Sequence, residues 1–478
     1  MADAGAAHIA TMKSGVWEIS PCQHHGGALY PPKVVPPLRT PNSFEFIRWI
    51  VKDPLLSIPW EAYERSVVFR RWPVPIAHAC APGTVRDVLV TQRQDFSEKP
   101  SVQRYVLGPL LGDGILLAEG KHWRWQRDTT APLFRHAEIL NYVPIMARAA
   151  QRVLDKWKQE PDPVHMISRD MTQATYEVIA QTILIGGGDE LTKASDEHNP
   201  GYSRGVPWGV AYGLLRLPDW IPRPGRLAMN RRDILFRQIV GRMIDAQETQ
   251  NRPNNDLLAR LRKARNPEND QQMSRKQLID NVLTFLLAGH HTTATALTWA
   301  LYLTACAPEW EAQMLDEIMR VVPEGPIGPE HVNELVVVQQ VLKESMRLFP
   351  PVPILSRIAT RDTELDSQSI PKGTVVNIPV YAIHRHRHVW YEPDRFDPTR
   401  FAKENEKSLA SCQFLPFGAG PRICTGMAFA MIEATVFLAT FVRSMHFDII
   451  ADDFLPIPIS RVVLIPKGGM PLKVTLRR

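Results

Sequence analysis

The sequence contains few of the residues that mark several common protein classes. Its 478 residues include only five cysteines, an odd number at wide spacing and without a CxxC pair. This excludes a disulfide framework or a zinc ribbon and favours a reducing, cytoplasmic location. The chain also lacks a large excess of either charge, because its formal net charge is only +6. So small and dispersed an excess does not indicate nucleic-acid binding, although an acidic protein partner remains open.

Several motifs and targeting signals are missing as well. The chain has no GxxxxGKS loop, no GxSxG elbow, no HExxH helix and no internal repeat. These absences argue against P-loop nucleotide hydrolases, α/β-hydrolases and HExxH metalloproteases. Neither a secretory signal nor an anchor helix is apparent near the first residues, so we expect no membrane anchor.

One apolar run, residues 282–307, is long enough to cross a membrane. The polar residues His290, His291, Thr292 and Thr293 would then lie near the bilayer centre, where such groups are unfavourable. The same composition suits a buried central helix that serves a polar site, which is the interpretation we prefer.

Hydrophobic periodicity predicts a mainly α fold with a small β region. With 44% hydrophobic residues and no convincing linker, we expect one domain over residues 1–478, with residues 1–45 as an N-terminal arm. Helices are predicted at residues 141–157, 168–184, 233–248, 277–305, 310–321 and 332–348. Edge strands are predicted at residues 374–379 and 472–476, and a further strand at residues 67–76.

The most specific stretch is FLPFGAGPRICTG, residues 414–426. Cys424 follows a glycine-rich loop and precedes an apolar run of helical period, so it should lie at a helix N-terminus. Unpaired N–H groups there lower the pKa of a thiol and can donate hydrogen bonds to a coordinated sulfur. Gly420 and Gly426 would let a flat cofactor approach the backbone, and Arg422 could pair with a carboxylate.

This loop resembles the cysteine loop of the cytochrome P-450 haem-thiolate monooxygenases, Phe-x-x-Gly-x-Arg-x-Cys-x-Gly. The chain has Phe417, Gly420, Arg422, Cys424 and Gly426 in that register. The resemblance implies the cytochrome P-450 fold and a haem b (iron protoporphyrin IX) cofactor. Cys424 is then expected to be the axial ligand of the iron, and the other four residues to contact the haem.

Two charged residues, Glu344 and Arg347, stand three apart on a predicted helix, where they can pair. Alone this is a common surface ion pair. The family has a Glu-x-x-Arg motif in the same order, buried and in contact with a second arginine, which here would be Arg400. The resemblance therefore implies a structural role for all three residues, behind the haem.

Trp123 and Arg127 lie four apart in HWRWQR and could both reach one carboxylate. A helix before the haem has this Trp-x-x-x-Arg pattern in the resembling family. The resemblance thus implies that Trp123, Arg127 and Arg422 hold the haem propionates, with Arg357 as a further partner.

Three histidines, His384, His386 and His388, alternate and would share a face of a strand, as metal ligands can. The family has a His-Arg stretch here that ends in Trp or Tyr, matched by His384, Arg385 and Trp390. We therefore prefer a scaffold or surface role for this stretch and keep a zinc site as an alternative.

The segment AGHHTT is similar to the family's Ala/Gly-Gly-x-Asp/Glu-Thr-Thr/Ser. Small residues at Ala288 and Gly289 would leave room for dioxygen, and the hydroxyl of Thr292 could hydrogen-bond to it and to an ordered water. His291 stands where the family usually has an acid. It could relay protons, the relay could bypass it, or it could simply be a hydrogen-bonded core residue.

The resemblance implies a monooxygenase that inserts one atom of dioxygen into a hydrophobic organic substrate. Two electrons would come from NAD(P)H through separate proteins, a ferredoxin and a ferredoxin reductase, because the chain has no flavin or iron–sulfur segment. We expect a cytoplasmic monomer of the soluble bacterial type.

The pocket residues expected by family analogy are apolar or small and indicate a hydrophobic substrate. They are Phe285, Ala288, Val352, Ile354 and Leu355. A fatty acid is slightly favoured over a terpenoid, a steroid or an aromatic compound. A peroxide-driven haem peroxygenase and a non-enzymatic haem-thiolate sensor are the alternative functions.

Overall fold

The computed structural model describes most of the chain and shows a helical protein with small sheets. The described residues are 18–20, 23–25, 27–36, 38, 42–71, 74–184, 205–206, 208–215, 217–218, 220–222, 224–249 and 257–477. The helices are α1 (Ser43–Lys52), α2 (Pro82–Arg86), α3 (Ser101–Leu111), α4 (Gly120–Thr130), α5 (His136–Leu140), α6 (Val143–Gln159), α7 (Ile167–Ile179), α8 (Arg226–Thr249), α9 (Leu257–Lys263), α10 (Arg275–Cys306), α11 (Pro308–Val321), α12 (Val336–Leu348), α13 (Val380–Ile383), α14 (Lys403–Glu406) and α15 (Met427–Ser444).

The strands are short and form six small sheets within the described ranges. They are β1 (Glu18–Ser20), β2 (Gln23–His25), β3 (Ala28–Tyr30), β4 (Lys33–Val35), β5 (Val67–Arg70), β6 (Ile76–Ala79), β7 (Val164–Met166), β8 (Leu355–Ile358), β9 (Thr363–Leu365), β10 (Gln368–Ile370), β11 (Val375–Ile378), β12 (Met445–Ile449), β13 (Pro458–Arg461), β14 (Val463–Pro466) and β15 (Pro471–Leu476).

The predicted helices are all present, with ends that differ by a few residues at most positions. The largest difference is α8, which begins seven residues before the predicted start at residue 233. The predicted stretch at residues 67–76 divides into β5 and the start of β6, which pair as a hairpin. The mainly α fold with a small β region is therefore confirmed.

The prediction that two strands lie at sheet edges was wrong. β11 is an inner strand, parallel to β6 on one side and antiparallel to β8 on the other. β15 is the middle strand between β12 and β7. Alternation along a strand depends on which face of the sheet is buried and not on how many strands pair with it, so it could not distinguish an edge strand from an inner one.

α10 is the long central helix. It begins at a capping box in which Ser274 and Gln277 satisfy each other's backbone N–H groups. The helix packs against α7, α12 and α15, and nearly all of its residues from Leu278 onward are buried. The 282–307 run is therefore a core helix, as the sequence indicated.

The N-terminal arm is described only in part, because residues 1–17 lie outside the described residues. Its described segments form two pairs of short strands, β1 with β4 and β2 with β3. Of the described helices, Met427–Ser444 alone has the length and composition of a membrane span, and 67% of it is buried inside the protein.

Candidate active site

Cys424 lies in the loop that leads into α15. The loop is closed by a hydrogen bond of 2.9 Å from the N–H of Cys424 to the carbonyl oxygen of Phe417. Burial raises the pKa of the thiol, while the backbone N–H of Gly426 and the charge of Arg127 act in the opposite direction. The Cys424 side chain is nonetheless exposed, because it faces an internal cavity.

Gly420 and Gly426 of the loop meet different structural requirements. Gly420 has φ +69°, and a Cβ there would lie 2.1 Å from the carbonyl oxygen of Leu89. This glycine is thus needed for backbone packing, and it does not line the cavity. Gly426 does line the cavity, and a Cβ there would meet nothing within 4 Å. Only Gly426 therefore matches the expected room for a flat cofactor.

The cavity has a volume of about 330 Å³ and mostly apolar walls. It brings together most of the residues predicted for the site. Those in its wall are Trp123, Arg127, Phe285, Ala288, Thr292, Val352, Leu355, Phe417, Arg422, Cys424 and Gly426. Ile354 lies outside this set and packs against the main hydrophobic core, so the structure does not bring it to the cavity.

Four cationic side chains gather at one side of the cavity: Lys99, Arg127, Arg357 and Arg422. None of them forms an ion pair within 4 Å with a carboxylate of the described residues. Arg357 is not among the residues that line the cavity, and burial followed by the charge of the lining residue Arg422 lowers its pKa to about 10. An excess of buried positive charge of this kind is complementary to an anion.

Lys99 is a site residue that the sequence analysis missed. Burial, followed by the charges of Arg422 and Arg357, lowers its pKa to about 7. The chain reaches this position because the N–H of Ile358 in β8 donates to the carbonyl oxygen of Glu98, 2.9 Å away. That bridge joins residues some 260 positions apart, and no local pattern signals it.

The predicted pair Trp123 and Arg127 is brought together on α4. Arg127 donates to the carbonyl oxygen of Ile423 at 2.9 Å and to the hydroxyl of Thr425, which ties α4 to the cysteine loop. The guanidinium of Arg422 lies 4.5 Å from the centre of the Trp123 ring. The two motifs, far apart in sequence, thus form one wall.

α10 supplies the opposite wall through Ala288 and Thr292. The hydroxyl of Thr292 donates to the carbonyl oxygen of Ala288 at 2.7 Å, one helical turn earlier. Gly289 packs closely, since a Cβ there would lie 2.7 Å from the side chain of Ile179. The small residues therefore serve helix packing as well as the cavity.

His291 does not face the cysteine. It lines a second cavity of about 500 Å³, whose wall also includes Ala288 and Thr292. Burial, followed by the charges of His290 and Arg232, lowers the pKa of His291 well below its usual range. The imidazole is therefore neutral near pH 7 and differs in charge from the acid that the resembling family carries.

A buried ion-pair network lies behind the site. Arg347 Nε and Nη2 each lie 2.7 Å from a carboxylate oxygen of Glu344, and Nη1 donates to the carbonyl oxygens of His384 and Pro393 at 2.7 and 2.6 Å. Arg400 Nε is 3.6 Å from Glu344. The structure thus brings the three predicted residues together.

The histidine cluster has structural partners. His384 Nε2 accepts from the N–H of Leu415 at 2.8 Å, and its Nδ1 lies 3.1 Å from the carbonyl oxygen of Arg347. Both ring nitrogens of His386 are also engaged, with the backbone of Arg65 and His388. Zinc binding by these histidines therefore has no structural support. His384 instead connects α12 to the start of the cysteine loop.

Glu433 on α15 is a second residue that the sequence analysis missed. Its side chain is completely buried, and burial raises its pKa well above the usual range, opposed by the nearby Thr293 hydroxyl. Neither carboxyl oxygen has a partner with good hydrogen-bond geometry among the described residues. Burial therefore favours the protonated form of this carboxyl, which lies between α15 and α10.

These features fit a haem. The thiol faces the cavity, Gly426 leaves space beside it, the cations can receive two propionates, and apolar side chains cover the remaining wall. A thiolate ligand with nearby N–H donors and a hydrophobic surround is the arrangement by which proteins tune haem iron.

Comparison with known proteins agrees with this geometry. The family model for cytochrome P450 matches residues 61–474. Cyclooctatin synthase of Streptomyces melanosporofaciens is 33% identical over 399 residues, 80% of this chain and 83% of that protein. Cyclooctat-9-en-7-ol 5-monooxygenase of the same species is 30% identical, over 81% and 83%. Cytokinin hydroxylase of Arabidopsis thaliana is also 30% identical, over 80% and 76%.

A solved structure, that of the cytochrome P450DA heme domain, superimposes with a TM-score of 0.76 at 23% identity. It covers 86% of this chain and 90% of that one, which confirms the cytochrome P450 fold. Family and fold together imply a haem cofactor. The chain therefore belongs to the cytochrome P450 family and is a monooxygenase.

Proposed function

We propose that this enzyme hydroxylates a hydrophobic organic substrate, with one oxygen atom taken from O2. The electrons come from NAD(P)H through a separate ferredoxin and ferredoxin reductase. One observation carries the proposal: the exposed thiol of Cys424 and the hydroxyl of Thr292 face the same apolar cavity. Bound haem supplies the chemistry that activates dioxygen.

The cofactor is haem b, held without a covalent bond, because the sequence has no CxxCH attachment motif. Cys424 is the iron ligand. Trp123, Arg127 and Arg422 hold the propionates, with Arg357 and Lys99 adding positive charge from the same side. Phe417 and Gly426 border the thiolate, while Gly420 fixes the loop backbone.

Thr292 is the catalytic residue of the distal wall. Its hydroxyl donates a hydrogen bond to the carbonyl oxygen of Ala288. The hydroxyl oxygen can therefore accept a hydrogen bond from a water molecule and hold that water in the cavity. His291 is oriented toward the second cavity and is neutral, which favours a proton path that bypasses it. Phe285, Val352 and Leu355 exclude water from the substrate.

Glu344, Arg347 and Arg400 are structural residues that fix the core behind the cysteine loop. We further propose that the chain forms one domain and is a cytoplasmic monomer. Size-exclusion chromatography with light scattering and fractionation of expressing cells test these points, and a dimer or a membrane-bound fraction would contradict them.

Reconstitution tests the function. The haem-loaded protein, a ferredoxin, its reductase and NADPH should consume NADPH faster when a hydrophobic substrate is added, and isotopically labelled O2 should place one labelled atom in the product. Turnover with hydrogen peroxide alone, without these partners, would indicate a peroxygenase. Haem binding without substrate-dependent NADPH consumption by any tested compound would indicate a sensor.

A further inference from the structure

The loop between α3 and α4, residues 112–119, contributes to the walls of both cavities. Ile115 lines the cysteine cavity, and Leu116 lines the cysteine cavity and the second cavity. Both side chains are apolar and come from backbone that has no regular secondary structure to hold it. The contacts that fix this loop therefore determine how tightly the wall can enclose a bound molecule.

The loop backbone lies directly on α10 because two of its residues are glycines. A Cβ at Gly112, where φ is +52°, would lie 2.2 Å from a carboxylate oxygen of Asp280. A Cβ at Gly114 would lie 2.2 Å from the hydroxyl oxygen of Thr284. Side chains at these two positions would therefore push the loop away from the helix.

Two consecutive side chains of α10 bind the backbone of the loop. Asp280 is completely buried, and its carboxylate accepts the N–H of Asp113 at 3.0 Å. Asn281 is also completely buried, and its side-chain oxygen accepts the N–H of Ile115 at 3.1 Å. The attachment of Ile115 to α10 therefore depends on two polar groups that do not line either cavity.

Asp280 is also bound by two cationic side chains. Arg237 of α8 lies 2.7 Å from one carboxylate oxygen, and Lys276 lies 3.0 Å from the other. Arg237 donates in addition to the carbonyl oxygen of Leu110, near the end of α3, at 2.9 Å. Because hydrogen bonds to a carboxylate are stronger than those between neutral groups, Asp280 joins α3, α8 and the loop to α10 at one point.

The carbonyl oxygens of the same loop bind cations of the cysteine cavity. Arg422 donates to the carbonyl oxygen of Ala118 at 3.0 Å, and Lys99 donates to that of Leu116. The N–H groups of the loop thus bind α10, while its carbonyl groups bind two residues of the opposite side of the site. A shift of the loop would change both sides together.

We propose that Asp280 is a positioning residue for the monooxygenase reaction, which holds residues 112–119 against α10 so that Ile115 and Leu116 close the wall around the substrate. This assignment rests on the proposed function and adds a residue that no motif indicated. Weakening the attachment admits water and encloses a bulky ligand less tightly, while Cys424 stays in place.

Hydrogen exchange of the haem-loaded enzyme, followed by mass spectrometry, tests the attachment. In Asp280→Asn the backbone amides of residues 112–119 should exchange about tenfold faster, because a neutral amide replaces the charged acceptor. Asp245→Asn is the matched control. It removes the same charge from an exposed pair between α8 and α10, in which Asp245 lies 2.7 Å from Arg275, and should leave this exchange within about twofold.

A second variant keeps the proposal testable if Asp280→Asn does not fold. Asn281→Ala removes the acceptor of the Ile115 N–H and leaves every charge in place. The amides of residues 112–119 should then exchange about fivefold faster. Exchange equal to the parent's in the folded variants, or faster exchange spread evenly over the chain, overturns the proposal.

Two ligands of the ferric haem iron that differ in size measure the wall itself. Imidazole and 4-phenylimidazole bind through the same kind of nitrogen atom, and only the second has a phenyl group that extends to the apolar wall. Asp280→Asn should weaken binding of 4-phenylimidazole about fivefold, through lost apolar contact, and leave imidazole within about twofold. Equal changes for both ligands would place the effect at the iron and contradict the role of Asp280.

The reduced carbon monoxide spectrum separates this assignment from the proposed function. If it shows a thiolate-ligated haem while loop exchange in Asp280→Asn equals the parent's, the monooxygenase assignment stands and the positioning role is wrong. If the thiolate band is absent, the proposed function fails, and hydrogen exchange in the two variants still decides whether Asp280 holds the loop.

Discussion

Replacing Glu344 by alanine removes the counterion of a completely buried arginine. Arg347 would keep its hydrogen bonds to the carbonyl oxygens of His384 and Pro393 but lose the carboxylate that neutralises it. The backbone N–H of Asp397, which donates to Glu344 at 2.8 Å, would lose its acceptor as well. Arg400, 3.6 Å from Glu344, would add a second uncompensated charge.

The expected loss of stability is large. Breaking a buried ion pair by removing one partner costs about 3–5 kcal/mol, against a total unfolding free energy of about 5–15 kcal/mol for most proteins. The neighbouring pair of Lys343 and Glu406, 2.7 Å apart and partly exposed, should contribute only about 0–1 kcal/mol. Glu406→Ala is thus a matched control, because Glu406 on α14 pairs with Lys343, the residue that precedes Glu344 on α12.

Urea denaturation followed by tryptophan fluorescence measures the difference. With a denaturant slope of at least about 3 kcal/mol per molar for a chain of this size, Glu344→Ala should lower the midpoint by up to roughly 1–1.7 M and Glu406→Ala by less than about 0.4 M. The double variant Glu344→Ala/Arg347→Met should recover part of the loss, because the unpaired charge is removed with its partner. Similar midpoints for Glu344→Ala and Glu406→Ala would refute the reasoning.

Three further predictions concern the site. Thr292→Ala should retain haem but divert electrons to peroxide or water, so product formed per NADPH falls; unchanged coupling contradicts the role of Thr292. His384→Ala should cost about 1–3 kcal/mol for each backbone partner left unsatisfied, seen as a lower melting temperature and faster haem loss; a melting temperature equal to the parent's argues against this link. Burial raises the pKa of Glu433, so folding favours the protonated acid. Its contribution to the free energy of unfolding is present at low pH and is lost as pH rises above glutamate's usual pKa. Glu433→Gln should therefore gain melting temperature relative to the parent at pH 8 but not at pH 4, and a loss at pH 8 would show that Glu433 is ionised and paired.

Helices were predictable from the sequence because their cause is local. The apolar period along residues 277–305 indicated the buried faces of α10, and the structure places its ends within two residues. The inner positions of β11 and β15 were not predictable. β11 pairs with β6, almost 300 residues earlier, and alternation within one strand does not reveal how many neighbours it has.

The residues of the candidate site likewise divide into those that a local motif predicts and those that only long-range packing brings to their positions. The cysteine loop and the Trp123–Arg127 pair were visible as spacings, and the structure places them in one wall. Lys99 reaches that wall through a backbone bridge from β8. Glu433 lies outside the wall and is buried where α15 packs on α10, so neither position follows from a motif. Gly420 was expected to make room for a flat cofactor, whereas the structure shows a close backbone contact with Leu89 and no place in the cavity wall.

The central claim is that Cys424 ligates a haem iron. The most direct test is the absorbance difference spectrum of the dithionite-reduced protein with and without carbon monoxide. The account predicts a strongly red-shifted Soret band that disappears in Cys424→Ser. A band at the usual position for histidine-ligated haem, or no haem band in protein expressed with sufficient haem, would contradict it.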